Sequence, residues 1–110
     1  GRVVMADNID MFCLFTERCA TIAKLPRGNL YHTTVFHDGH LFVIGGLESA
    51  QSERSVRIVQ SFDMASRQWH KLPPMLTRRD RCVCCVFDSR LIVVGGWKDG
   101  RMLSSAEEYI

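Results

Sequence analysis

The densest charge in the chain lies in Arg78-Arg79-Asp80-Arg81. Guanidinium groups projecting from a loop suit carboxylate or phosphate recognition, because their planar forks match those oxygens in pairs. The cluster follows Pro73-Pro74 and precedes an apolar run, which puts it on a loop ahead of a strand. Pairing with Asp80 or with a neighbouring element, or plain solvation, would use the same arginines differently, and both readings stay open. Two further stretches have loop character. Leu47 to Arg54 offers Glu48 and Gln51, and Trp97 to Arg101 offers Trp97 and Lys98. Binding residues concentrate on loops held by a rigid scaffold. Trp97 reads equally as an exposed aromatic anchor or as packing against the next element. The expected partner-binding set is therefore Arg78, Arg79, Arg81, Trp97, Lys98, Glu48 and Gln51.

Other chemistries fit less well. Cys82 and Cys84 would share one face of a strand while Cys85 points to the other, and no second pair stands at zinc-finger spacing. The expected role of these thiols is that of small buried hydrophobes, with no metal and no cofactor. Gly45-Gly46 and Gly95-Gly96 open no helix and precede no Gly-Lys-Ser/Thr triplet, so phosphate-cradling readings fail. Their glycines are better explained by a bend or a close backbone approach. A hydrolase-like set of Ser89, His37 and Asp38 can be assembled on paper, but nothing in the sequence joins them. No catalytic residue is expected.

The elements that must position these loops follow from composition and repetition. With 110 residues, 46% hydrophobic and 24% charged, the chain is at most one ordinary domain, and globular rather than disordered. A net charge of +2 argues against a dedicated nucleic-acid binder. The longest uncharged apolar run, Leu91 to Gly96, is far below the ~20 residues a membrane helix needs. Five cysteines, an odd number with no leader before them, read as reduced thiols in a cytoplasmic protein.

The segment from His37 to Gly46 recurs as Phe87 to Gly96, fifty residues on, and Asn8 to Pro26 aligns without gaps on Ser55 to Pro73. Asp38-Gly39 is a two-residue hairpin signal, and Asp88-Ser89 stands in the same place. Ten short antiparallel strands are expected, near 2–6, 8–15, 19–25, 30–37, 40–45, 55–62, 67–72, 81–87, 90–95 and 104–110, with no helix. The runs Cys82-Val83-Cys84-Cys85-Val86-Phe87 and Leu91-Ile92-Val93-Val94 are apolar at every position, so these strands need cover on both faces. Four-stranded sheets stacked radially satisfy that need.

The combined pattern resembles kelch repeats. Gly45-Gly46, Phe62 and Trp69 stand at the family's spacing, Gly95-Gly96 with Tyr109 forms a truncated second set, and Gly95-Gly96-Trp97-Lys98-Asp99-Gly100 is especially similar to the BTB-kelch branch. The resemblance implies an all-β fold of antiparallel four-stranded propeller blades, here about two and a half blades of an incomplete ring. On that reading 1–28 is the end of a degenerate blade, 29–75 a complete blade and 76–110 most of the next. It also places Arg79 near the mouth where such domains grip partner peptides. The implied function is a protein-interaction scaffold, as substrate adaptor of a cullin-type ubiquitin ligase. The alternatives are a free-standing scaffold such as an actin-associated protein, and part of a kelch-like enzyme. The implied partners are a protein ligand and further blades or further copies of the chain, with neither nucleic acid nor membrane.

Overall fold

Three dipeptides in the left-handed region make the tight turns. Asp38 and Gly39 have φ of 50° and 74°, Asp88 and Ser89 of 51° and 60°, and Asp99 and Gly100 of 50° and 82°. Positive φ at both central residues is the twist that joins adjacent antiparallel strands. Ser89 holds this conformation without glycine's freedom, which costs it on the order of 1 kcal/mol.

The computed structural model describes residues 31–49 and 51–109, together with the backbone of 8–13 and 18–24. Eleven strands are present among them: β1 (Asn8–Cys13), β2 (Arg18–Lys24), β3 (Thr33–His37), β4 (His40–Ile44), β5 (Val59–Asp63), β6 (Gln68–Leu72), β7 (Val83–Phe87), β8 (Arg90–Val94), β9 (Trp97–Lys98), β10 (Arg101–Met102) and β11 (Ala106–Tyr109). They form a four-stranded sheet in the order β3-β4-β5-β6 and a three-stranded sheet β11-β8-β7. The pairs β1-β2 and β9-β10 stand apart. All pairings are antiparallel, and no helix occurs among the described residues. The architecture is that of kelch-propeller blades, with the first strand of one sheet, β3, lying against the first strand of the next, β7.

The expected strand at 2–6 lies outside the described residues, as do Phe15 and Leu25-Pro26 of the first repeat. Two expectations need correction. The strand expected over 55–62 begins only at Val59, because the backbone of 55–58 is engaged elsewhere. The Val56 N–H donates to the Gly46 carbonyl, the Val56 carbonyl accepts from Arg79, and the Arg57 carbonyl accepts from Met75. The second correction is the β9-β10 hairpin, which was read as a plain loop. His37 and His40 flank the Asp38-Gly39 turn and are half-buried, and His40 Nδ1 lies 2.9 Å from the Asp38 carbonyl oxygen.

The core is a joint between sheets. Ile44 and Val59 from one sheet meet Cys82 and Val93 around the other, and Met75 from the connecting link fills the space between. Burying each such side chain stabilises by about 1.5–3 kcal/mol. The Tyr109 hydroxyl donates to the Pro73 carbonyl at 2.5 Å, tying the last strand back to the link. Phe62 and Trp69 are register partners on β5 and β6, with ring centroids 5.2 Å apart. The opposite face of the three-stranded sheet is open, with Val83, Cys85, Val94 and Phe87 (74%) exposed.

Double glycine explains how the sheets close on the link. Gly45 has φ of 67°, and a Cβ there would run into the Arg79 carbonyl oxygen. Gly96 has φ of 85°, and a Cβ there would sit 2.5 Å from the Asp80 carbonyl oxygen. The link therefore threads between two glycine bends at a distance no side chain permits.

Candidate functional site

Strand register decides which loops share an end. Thr33 pairs with Ile44 and Val83 with Val94, so the link that precedes each sheet and the loop that follows each double glycine emerge together. The Asp38-Gly39 turn and the Met64–Arg67 turn meet at the other end, where the Met64 N–H donates to the Gly39 carbonyl. All seven expected partner-binding residues thus lie on the double-glycine end.

These loops are locked together by a polar network centred on Ser55, which is fully buried. Its hydroxyl donates to Asp80 Oδ1 at 2.6 Å and accepts from the Asp99 N–H at 2.9 Å. Its own N–H donates to Asp99 Oδ1 at 2.9 Å. Arg78 Nη2 donates to Asp99 Oδ2 at 2.8 Å, and Arg81 Nε to Asp80 Oδ2 at 2.9 Å. Asp80 and Trp97 exchange both backbone hydrogen bonds. A loop, a link and a hairpin from distant parts of the chain become one platform, so little ordering entropy remains to be lost on binding.

Arg79 departs from its expected role. Its side chain is 1% exposed, and four of its five N–H groups are used inside the protein. Nε donates to Glu107 Oε2 at 3.2 Å, Nη1 to the Gly95 and Ser105 carbonyls at 3.0 and 2.9 Å, and Nη2 to Ser105 Oγ at 3.0 Å. Glu107 in turn accepts the Leu76 and Thr77 N–H groups. The pair clamps the link to β11. The physical reason is the acceptors: Glu107 and the Gly95 and Ser105 carbonyls offer the Arg79 fork an internal match, while Arg78 reaches Asp99 on the loops.

The structure brings three of the other candidates together and separates the rest. Glu48, Arg78 and Lys98 line a cleft of about 630 Å3 with Arg54, Arg57 and Leu76. Arg81 and Trp97 line a smaller hollow of about 230 Å3 with Glu53 and Asp80. The Arg81 guanidinium lies 4.3 Å from the Tyr31 ring centroid and 5.6 Å from that of Trp97, within cation–π range of both. Trp97 is half-buried, and Gln51 is exposed on its loop. Sequence reasoning missed Tyr31, Arg54, Arg57, Ser55 and Asp99. Tyr31 and Arg81 stand fifty residues apart at matching repeat positions, a signal that could have joined them.

Cys82 is buried, Cys84 half-buried and Cys85 exposed, and burial pushes the Cys84 thiol up to about 11. Among the described residues no group of three or more His, Cys, Asp or Glu is placed to hold a metal ion. His37 and Ser89 line one cleft between the sheets, but among the described residues no hydrogen bond joins them. Hydrogen bonds from backbone N–H groups, first from Ser55 to Asp99 and first from Ala65 to Asp63, hold both carboxyls below the usual range.

His32, beside Tyr31, has its imidazole held below the ordinary value of 6.5 by burial. Its folded form therefore resists a proton that the unfolded chain accepts. Stability conferred by neutral His32 is fully present above that value and declines as pH falls through it, well before the two low carboxyls titrate. Urea unfolding at pH 7.5 and 5.5 should show that decline, and His32→Gln should flatten it.

A family model for the Kelch motif matches residues 29–76 and again 78–110. Relatives include spermatocyte protein spe-26 of Caenorhabditis elegans, 27% identical over 84% of this chain and 17% of that protein. F-box/kelch-repeat protein SKIP30 of Arabidopsis thaliana is 32% identical over 84% of this chain and 30% of its own length. Human Kelch-like protein 34 is 28% identical over 96% of this chain and 18% of its own. The chain thus spans less than a third of these relatives. Among solved structures, that of YjhT superposes with a TM-score of 0.65 at 25% identity, covering 74% of this chain and 25% of that one. No helix of the described residues is long and apolar enough to cross a membrane.

Proposed function

The chain belongs to the kelch-repeat family, and from that premise we propose that it is a protein-recognition module whose double-glycine end captures a partner protein. The observation that carries this reading is the locked platform. Arg78, Arg81, Trp97 and Lys98 stand on three separate segments, yet hydrogen bonds through Ser55, Asp80 and Asp99 fix those segments to one another. A preformed surface of charged and aromatic groups is the kind that binds without large rearrangement. The reading extends to a substrate adaptor of a cullin-type ubiquitin ligase in the cytoplasm, without catalysis of its own. Similarity to the F-box/kelch-repeat and Kelch-like relatives supports that placement over a cytoskeletal scaffold. A further blade would cover the exposed Val83, Phe87 and Val94.

The test is affinity capture followed by mass spectrometry, comparing the protein with its Trp97→Ala and Lys98→Glu variants. The account expects the same specific partners to be lost from both and kept by Arg67→Ala at the opposite end. Partners retained by Trp97→Ala and Lys98→Glu but lost from Arg67→Ala would refute it.

A further inference from the structure

The 630 Å3 cleft has a chemistry of its own. Arg54, Arg57, Arg78 and Lys98 line it, and among the described residues Glu48 is the one acid in the lining. Two of the four cations have an acidic side chain within ion-pair distance, and Asp99 also acts electrostatically on Lys98. Arg78 pairs with Asp99 at 2.8 Å, and Arg54 Nε lies 3.9 Å from Glu48 Oε2. Both pairs are substantially exposed, so each is weak and can be shared with an incoming anion. Arg57 and Lys98 are both exposed, one leading into β5 and one on β9. The lining also has apolar material: Val56 and Ile58, and Leu76, 84% exposed, on the link.

We propose that this cleft binds an acidic peptide segment of the partner, one whose carboxylates alternate with an apolar side chain that covers Leu76. The inference rests on the recognition role proposed above and names the class of ligand. Charge complementarity selects the sign, since four cations converge there and Glu48 and Asp99 offset them only in part. Leu76 and the small overall charge favour a peptide over a nucleic acid, which needs a continuous basic surface and no apolar floor. Arginine forks on Arg57 and Arg54 suit carboxylates, while Lys98 supplies a point charge.

The probe is a fluorescein-labelled peptide alternating glutamate and leucine, followed by fluorescence anisotropy at low and high salt. Binding should be measurable at low salt and weaken as salt rises. Arg57→Glu and Lys98→Glu should each weaken it by about tenfold or more, whereas Arg67→Glu, the same charge change at the far end, should leave it unchanged. Arg57 and Lys98 are exposed, and thermal melts of the variants should match the parent. Absence of binding, equal loss in Arg67→Glu, or tighter binding of a single-stranded oligonucleotide would overturn the proposal. Should the peptide fail while Trp97→Ala still abolishes partner capture, the acidic ligand is wrong and the recognition role stands.

Discussion

Replacing Arg79 by alanine is expected to cost the fold about 3–5 kcal/mol, the range for removing one member of a buried ion pair. The magnitude follows from what is left behind. Glu107 would keep its charge in a buried site, and the Gly95 and Ser105 carbonyls would lose the donor that now joins them. Arg79→Lys should not rescue, because a single ammonium cannot reach four acceptors arranged for a planar fork. A double-mutant cycle with Glu107→Gln should show coupling of about 1–3 kcal/mol. Equilibrium denaturation checks each value. A loss under ~1 kcal/mol for Arg79→Ala would mean that the clamp is dispensable.

The second large effect is expected at Gly45. Alanine there would need a left-handed backbone and would drive its methyl group into the Arg79 carbonyl oxygen, which is main chain and cannot swing aside. The carbonyl already accepts the Gly46 N–H at 2.9 Å, so displacing it breaks a hydrogen bond as well. A loss of about 4 kcal/mol or more is expected, in the exceptional class for single substitutions. Gly39→Ala is the control. Gly39 has a similar φ of 74° but open space around its Cβ position, so strain alone should cost about 1 kcal/mol. Equal losses at the two sites would show that conformation matters at Gly45 and close approach does not.

Much of the scaffold was legible because its signals are local. Asp38-Gly39 and the repeated apolar runs carry their turn and strand chemistry within a few residues, and the double glycine announces a backbone constraint. The same signal at Asp99-Gly100 was overlooked because the hairpin it closes has only two residues per strand. The inward turn of Arg79 was not legible. Its partners stand 16 to 28 residues away, and the link has no period from which to read the direction of Arg78, Arg79 and Arg81. Arg81 adds a positive φ of 52°, which breaks any alternation. Ser55 was invisible for a similar reason: its burial arises from Asp80 and Asp99, 25 and 44 residues on. The sequence marks where the loops are, and only the fold shows which of their side chains remain available.

Recognition at the double-glycine end is tested most directly by site-specific photo-crosslinking in cells. A photoreactive residue placed at Lys98, and separately at Arg67 in the turn at the other end, reports which face a partner touches. The account predicts discrete crosslinked species from position 98 and none from position 67. Crosslinking from 67 with silence at 98 would contradict it.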